Sequence, residues 1–248
     1  MIDTHAHLDG GTNEVAALVR RANDAGVTRI VAVGSGIDSC RATLRLTHEH
    51  EGVYAALGIH PHQAGSGDAA RLAELRELLG DPGAVAVGET GLDFYRDYAP
   101  HDDQLEVFER QLALAQELRK PVVVHTRAAD DETLRALESF DGTVVLHCFS
   151  SPGLLEAALE RGYYVSFAGN VTFPKAAELQ AAAAAVPADR ILAETDSPYL
   201  APQPVRGREN EPANVVHTLS TLAEARGEDP SVLEAQIDAN ATAAFGLP

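Results

Sequence analysis

Eight short runs rich in valine, isoleucine and alanine recur along the chain. Each is followed by a stretch with helical spacing or turn residues, and this alternation restricts the fold more than any other feature. The runs are Met1–His5, Val27–Val33, Val53–Ile59, Ala84–Gly88, Val122–His125, Thr143–His147, Tyr163–Phe167 and Ile191–Glu194. Most are apolar without interruption, the pattern of strands buried on both faces, as in a parallel sheet covered by helices. Between them, Glu14–Ala25 reads as a helix stopped by Gly26. Leu105, Phe108, Leu112 and Ala115 share one helical face, with Asp102 or Asp103 as the N-cap. Ser151-Pro152 opens another helix, closed by Gly162. The alanine run Ala181–Ala185 reads as plain helix. Eight strand–helix units predict an α/β fold, a (β/α)8 TIM-like barrel. An extra C-terminal helix, Ser231–Phe245, packs outside, and residues 1–248 form one domain.

In such a barrel the chemistry belongs at the C-terminal ends of the strands. Six of the ten histidines fall there: His5 and His7 after the first strand, His60 and His62 after the third, His125 after the fifth and His147 after the sixth. Glu89 ends the fourth strand, and Glu194 and Asp196 end the eighth. Residues two apart in a strand point the same way, so His5 and His7 can approach one ion together. Imidazole and carboxylate together suit zinc, manganese or iron, while magnesium prefers oxygen. Four histidines with Glu89 and Asp196 provide ligands for two ions, with Glu89 as the natural bridge. Any one of these strand ends alone reads as a hydrogen-bonded structural residue. Together, the alternative would place several unrelated buried polar groups at one rim, each costly if unpaired.

Charge narrows the partners. The chain has 37 acidic residues against 19 Lys+Arg, a net charge of −18, and its only lysines are Lys120 and Lys175. A long basic track for nucleic acid is therefore excluded. The acidity itself reads as a solubility feature. No apolar run reaches the roughly 18 residues that a membrane span needs, so no membrane partner is expected. The first residues lack the basic and apolar regions of a secretory leader. Cys40 and Cys148 form no C-x-x-C pattern and read as reduced thiols, consistent with a cytoplasmic location.

The segments MIDTHAHLD, GIHPH, GETGLDFYR, PVVVHTR, LHCFS and ETDSPYLAP, in this order, resemble the TatD-type metal-dependent deoxyribonucleases. The likeness spans nearly the whole chain. It implies a TIM-barrel hydrolase that cleaves DNA, from the 3′ end, with two divalent ions of magnesium, manganese or zinc. It implies that His5, His7 and Asp196 hold one ion, and that Glu89 bridges to a second held by His125 and His147. Asp196 is then the proton acceptor for the attacking water, Glu89 a catalytic ligand, and His60 and His62 either contact phosphate and the leaving group or support the ligands. Arg127, Arg206 and Arg208 are candidate phosphate grips, since an arginine fork matches phosphate geometry. For Arg206 and Arg208 the alternative is pairing with Glu209 and Glu211. Tyr199 and Tyr95 are candidates to stack on a base. The expected substrate is a DNA end or short single strand, because two divalent ions concentrate positive charge at one point of an acidic surface. A two-metal hydrolase of a small ester, lactone or amide is the alternative, since loops rather than ligands choose the substrate.

Overall fold

The structure is a computed structural model that describes residues 1–9, 11 and 13–248. Eight parallel strands follow one another around a barrel in the order β1-β2-β3-β4-β5-β6-β7-β8. They are β1 (Ile2–Ala6), β2 (Arg29–Gly34), β3 (Val53–Leu57), β4 (Ala84–Asp93), β5 (Val122–Arg127), β6 (Val144–Leu146), β7 (Tyr164–Phe167) and β8 (Ile191–Ala193). Closure between β8 and β1 is made just past the strands. Asp196 N–H donates to His5 O at 2.9 Å and His7 N–H to Ser197 O at 2.7 Å. The covering helices are α1 (Val15–Asp24), α2 (Ile37–Glu49), α3 (Leu72–Leu78), α4 (His101–Leu118), α5 (Asp130–Ala136), α6 (Leu155–Glu160), α7 (Ala177–Ala185), α8 (Val215–Arg226) and α9 (Pro230–Phe245).

The uninterrupted apolar runs are buried on both faces, as a helix-covered parallel sheet requires. α9 is the extra C-terminal helix. It packs on β8, β1 and α8 and buries Leu233, Ile237 and Phe245. Each such side chain contributes about 1.5–3 kcal/mol. Asn240 fastens it by donating to Ala188 O and Ile191 O, both at 2.8 Å. No helix of the described residues is long and apolar enough to cross a membrane.

Three local expectations need correction. β4 runs to Asp93 rather than stopping at Gly88, because Thr90, Gly91, Leu92 and Asp93 pair with Val124, His125, Thr126 and Arg127 of β5. Asp102 and Asp103 do not cap α4. Pro100 holds the N-cap position, and the two aspartates sit in the first turn, where their charge opposes the unpaired N–H groups. Ser151 precedes a 3-10 turn, Pro152–Leu154, without capping it through its side chain, and α6 begins only at Leu155. By contrast, Gly26 and Gly162 do sit just past α1 and α6, with φ of 85° and 70°. That left-handed backbone is where glycine carries no Cβ penalty.

Candidate metal centre

The strand ends converge on one cavity of about 830 Å³, whose wall includes His7, His60, His62, Glu89, His125, His147 and Asp196. Glu89 stands at its centre. It falls where the β4–β5 register shifts between Val87 and Thr90, and His5 falls in the β1–β2 shift between Asp3 and Ala6. Such irregularities re-aim side chains, here toward the barrel axis.

Five imidazoles surround the Glu89 carboxylate. Oε1 lies 2.8 Å from His147 Nε2, 3.1 Å from His125 Nδ1 and 3.2 Å from His60 Nε2. Oε2 lies 3.4 Å from His7 Nε2 and 3.5 Å from His5 Nε2. Asp196 Oδ1 adds a second carboxylate, 3.6 Å from His7 Nε2 and 3.8 Å from His5 Nε2. Ligand atoms of three trios approach within 4.8 Å of one another: His5, His7 and Asp196; His5, Glu89 and His147; and His60, Glu89 and His125.

Carboxylates behind the histidines decide what each ring offers. His125 Nε2 faces Asp93 Oδ2 at 3.2 Å, and His147 Nδ1 faces Glu194 Oε1 at 3.2 Å. A carboxylate accepts, so each of these nitrogens carries a proton. The inward nitrogens, His125 Nδ1 and His147 Nε2, also face a carboxylate, Glu89 Oε1 at 3.1 and 2.8 Å, so without metal they hold a second proton, whose loss frees a lone pair for an ion. These two inward nitrogens are only 3.2 Å apart. Two lone pairs at that distance repel unless a cation or a proton stands with them. The donor set therefore fits divalent metal ions.

His60 differs. Its Nδ1 accepts the His62 backbone N–H at 3.1 Å. Its proton is therefore on Nε2, which donates to Glu89 Oε1.

The electrostatics agree with a cation site. Burial lowers the pKa of His7, yet Asp196 and Glu89 outweigh it and push it up to about 10. His125 is raised against burial by Asp93 and Glu89, and His147 well above its usual range by Glu89 and Glu194. Burial works to raise the Glu89 carboxyl, but His60, His147 and His125 hold it well below the usual range. Without metal, protons supply the balancing charge, and metal binding displaces them.

The outer candidates separate. His62 lines the cavity and pairs through Nε2 with Asp93 Oδ2 at 3.0 Å, outside the metal-ligand trios. Arg127 lines the cavity with its guanidinium 4.0 Å over the Tyr95 ring. Tyr199 lines the cavity with its ring 6.0 Å from that of His7. Arg206 and Arg208 are exposed and absent from its wall. Arg206 lies 4.0 Å over Phe173, and the partner of Glu211 is Arg21 at 2.7 Å. Asp93 and Glu194 are site residues that sequence reasoning left without a role. Asp93 ends the strand that carries Glu89, but the register shift at Glu89 breaks the alternation that would have placed both on one face. Glu194 had only its place beside Asp196.

The protein also resembles known chains. The family model described as TatD related DNase matches residues 2–246. A Mycobacterium tuberculosis protein named "Uncharacterized metal-dependent hydrolase TatD" is 38% identical, the match covering 100% of this chain and 98% of that protein. A Cronobacter sakazakii protein named "3'-5' ssDNA/RNA exonuclease TatD" is 38% identical over 98% of this chain and 94% of its own length. The crystal structure of YJJV, a TatD homolog from Escherichia coli K12, superposes with a TM-score of 0.94 at 29% identity, over 100% of this chain and 98% of that one. With the barrel, the ring of histidines about Glu89 and a family model matched almost end to end, this chain belongs to the TatD related DNase family.

Proposed function

We propose that residues 1–248 form a single hydrolase domain that works in the cytoplasm and removes nucleotides from the 3′ ends of short single-stranded DNA. The observation that carries this reading is the pair of inward nitrogens, His125 Nδ1 and His147 Nε2, with carboxylates behind both rings. That arrangement wants a cation, and relatives of this sequence are named as exonucleases of single-stranded DNA and RNA. His5, His7 and Asp196 would hold one divalent ion, and His125 and His147 a second, with Glu89 between them. Magnesium, manganese and zinc are the candidates. When bound, the ions supply the positive charge that lowers the pKa of a nearby water and offsets charge building on the scissile phosphate.

The chain's own groups do the rest. Asp196 stays ionised at neutral pH, because His7, His147 and His5 outweigh the burial that would raise its pKa. It is the carboxylate placed to take a proton from the attacking water. His60 holds Glu89 by donating to Oε1, so of its two sequence-level roles we assign it support. His62, anchored by Asp93, faces phosphate from the cavity wall. Arg127, propped on the Tyr95 ring, presents its fork to a phosphate oxygen. Arg206 and Arg208 stand off the cavity wall, and we assign them no contact with the scissile phosphate. A short contact at a strand end needs no basic track, which is how so acidic a chain can process DNA.

The test is hydrolysis of a single-stranded oligonucleotide labelled at one end or the other, with metal analysis on the same samples. Chelator-treated protein should be inactive and regain activity with manganese, magnesium or zinc, and the 5′-labelled strand should shorten one nucleotide at a time. Turnover of lactones or amides with intact oligonucleotide would move the activity to small molecules.

A further inference from the structure

Among the described residues the large apolar side chains left exposed are Tyr95, Tyr98, Tyr199 and Val232. The three tyrosines all stand at the C-terminal rim of the barrel, in the loops after β4 and β8. The other tyrosines, Tyr54, Tyr163 and Tyr164, are buried or half-buried. Exposing an aromatic ring forfeits the stabilisation its burial would bring, so three such rings confined to one rim point to a ligand that covers them.

The three are not equivalent. Tyr95 is 64% exposed, but one face of its ring is taken by the Arg127 guanidinium, 4.0 Å away. Tyr98 is 66% and Tyr199 59% exposed. Tyr98 meets the His62 ring edge-on at 4.7 Å, and Tyr199 meets the His7 ring edge-on at 6.0 Å, so neither is stacked face to face. β4 and β8 lie four strands apart in an eight-stranded ring, which puts the two loops on opposite sides of the mouth. From Tyr199 a run of side-chain contacts passes through His7, Glu89, His60 and His62 to Tyr98, which stands just outside the cavity wall. The proposed metal ligands lie between the two rings.

We propose that Tyr98 and Tyr199 are the two base platforms of the site: one stacks the base of the 3′-terminal nucleotide and the other the base across the scissile phosphate. This rests on the phosphodiesterase reading above and deepens it. The recognised unit is a dinucleotide with its two bases splayed apart. Three consequences follow from the chemistry. A paired end is refused, because its bases are stacked on their own neighbours. Any base is accepted, since every base has a π-face. Purines are held better than pyrimidines at both positions, for they stack over more area. The Tyr95 platform expected from the sequence is replaced by Tyr98, because Tyr95 supports Arg127.

The test uses the metal-loaded full chain with magnesium and single strands carrying 2-aminopurine at the last or the penultimate position. The terminal linkage is made uncleavable by a methylenephosphonate. Stacking on an aromatic ring quenches this base, so binding should quench both probes. Tyr98→Ala should remove the quench at one position and Tyr199→Ala at the other, while Tyr98→Phe and Tyr199→Phe retain it. Stacking energies per base correspond to about 5- to 150-fold in affinity. Each alanine variant should therefore raise KM for a cleavable strand by at least about fivefold. Turnover of methyl 4-nitrophenyl phosphate, which has no base, should fall less than turnover of the strand in both alanine variants, so that the loss follows the base. Quenching and KM unchanged in both alanine variants would overturn the platforms and leave the phosphodiesterase reading intact. Loaded protein that cleaves neither the strand nor methyl 4-nitrophenyl phosphate would overturn both.

Discussion

Gly58→Ala puts the placement of Glu89 to a direct test. Gly58 is buried just past β3, where its N–H donates to Gly34 O at 3.0 Å. A Cβ there would meet Gly88 Cα at 2.7 Å, Glu89 O at 2.8 Å and Gly88 C at 2.9 Å. All three are backbone atoms, so no rotamer change relieves the clash. Ordinary contact begins at 3.4 Å, so against the 2.7 Å approach the β4 backbone must retreat by about 0.7 Å, carrying Glu89 with it. Overpacking of this kind costs about 1–3 kcal/mol, which in a chain of this size lowers Tm on the order of 5 °C. A misplacement near 1 Å costs about a hundredfold in rate, so kcat on a labelled single strand should fall between about tenfold and a hundredfold. Metal affinity, measured by chelator competition, should weaken in parallel. Gly67→Ala is the control, since nothing lies within 4 Å of its added Cβ. If Gly58→Ala keeps kcat within twofold and holds metal as tightly as the parent, the close approach of β3 to β4 does not set the position of Glu89 and the reasoning fails.

Glu89→Gln keeps the shape of the central group and removes its charge. It should abolish bound metal at one position or both and cut kcat more than about a hundredfold, with an unchanged circular dichroism spectrum; near-normal turnover would refute the central role. Glu194→Gln loosens the hold on His147 Nδ1 and should weaken metal affinity by about 10- to 100-fold, read by the same chelator competition. Asp229 caps α9 by accepting the Ser231 N–H at 2.8 Å, and its bonds to Ser231 hold its pKa below the usual value. A depressed carboxyl pKa stabilises the fold above the unfolded pKa and ceases to do so as pH falls through the folded one. Asp229→Ala should therefore melt below the parent at pH 7, and the gap should close as pH falls below the usual carboxylate range; a gap that does not narrow in acid would deny the cap its charge. Divalent ions that bind only the folded chain raise Tm by mass action, so a chelator should lower Tm in the parent and much less in Glu89→Gln.

Sequence alone determined the scaffold and the inner ring. An apolar run buried on both faces can be recognised without its neighbours, and eight such runs separated by helices leave few architectures open. The rim histidines and Glu89 were legible because strand ends in a barrel share one mouth whatever the details of packing. Tertiary structure decided which nitrogen of each ring faces inward. Asp93 reaches His125 and His62 across strand pairings, and Glu194 reaches His147 from 47 residues away, so no local pattern reveals either contact. The same holds for the rim: Arg206 and Arg208 looked like phosphate grips in the sequence, but their loop carries them off the cavity wall. Tyr95 and Tyr98 are three residues apart, and only tertiary contacts tell the ring under Arg127 from the ring that meets His62 edge-on. Period and composition encode which face of an element is buried. Proton direction, ring stacking and loop path depend on contacts between segments far apart in the chain, and those exist only once the barrel has closed.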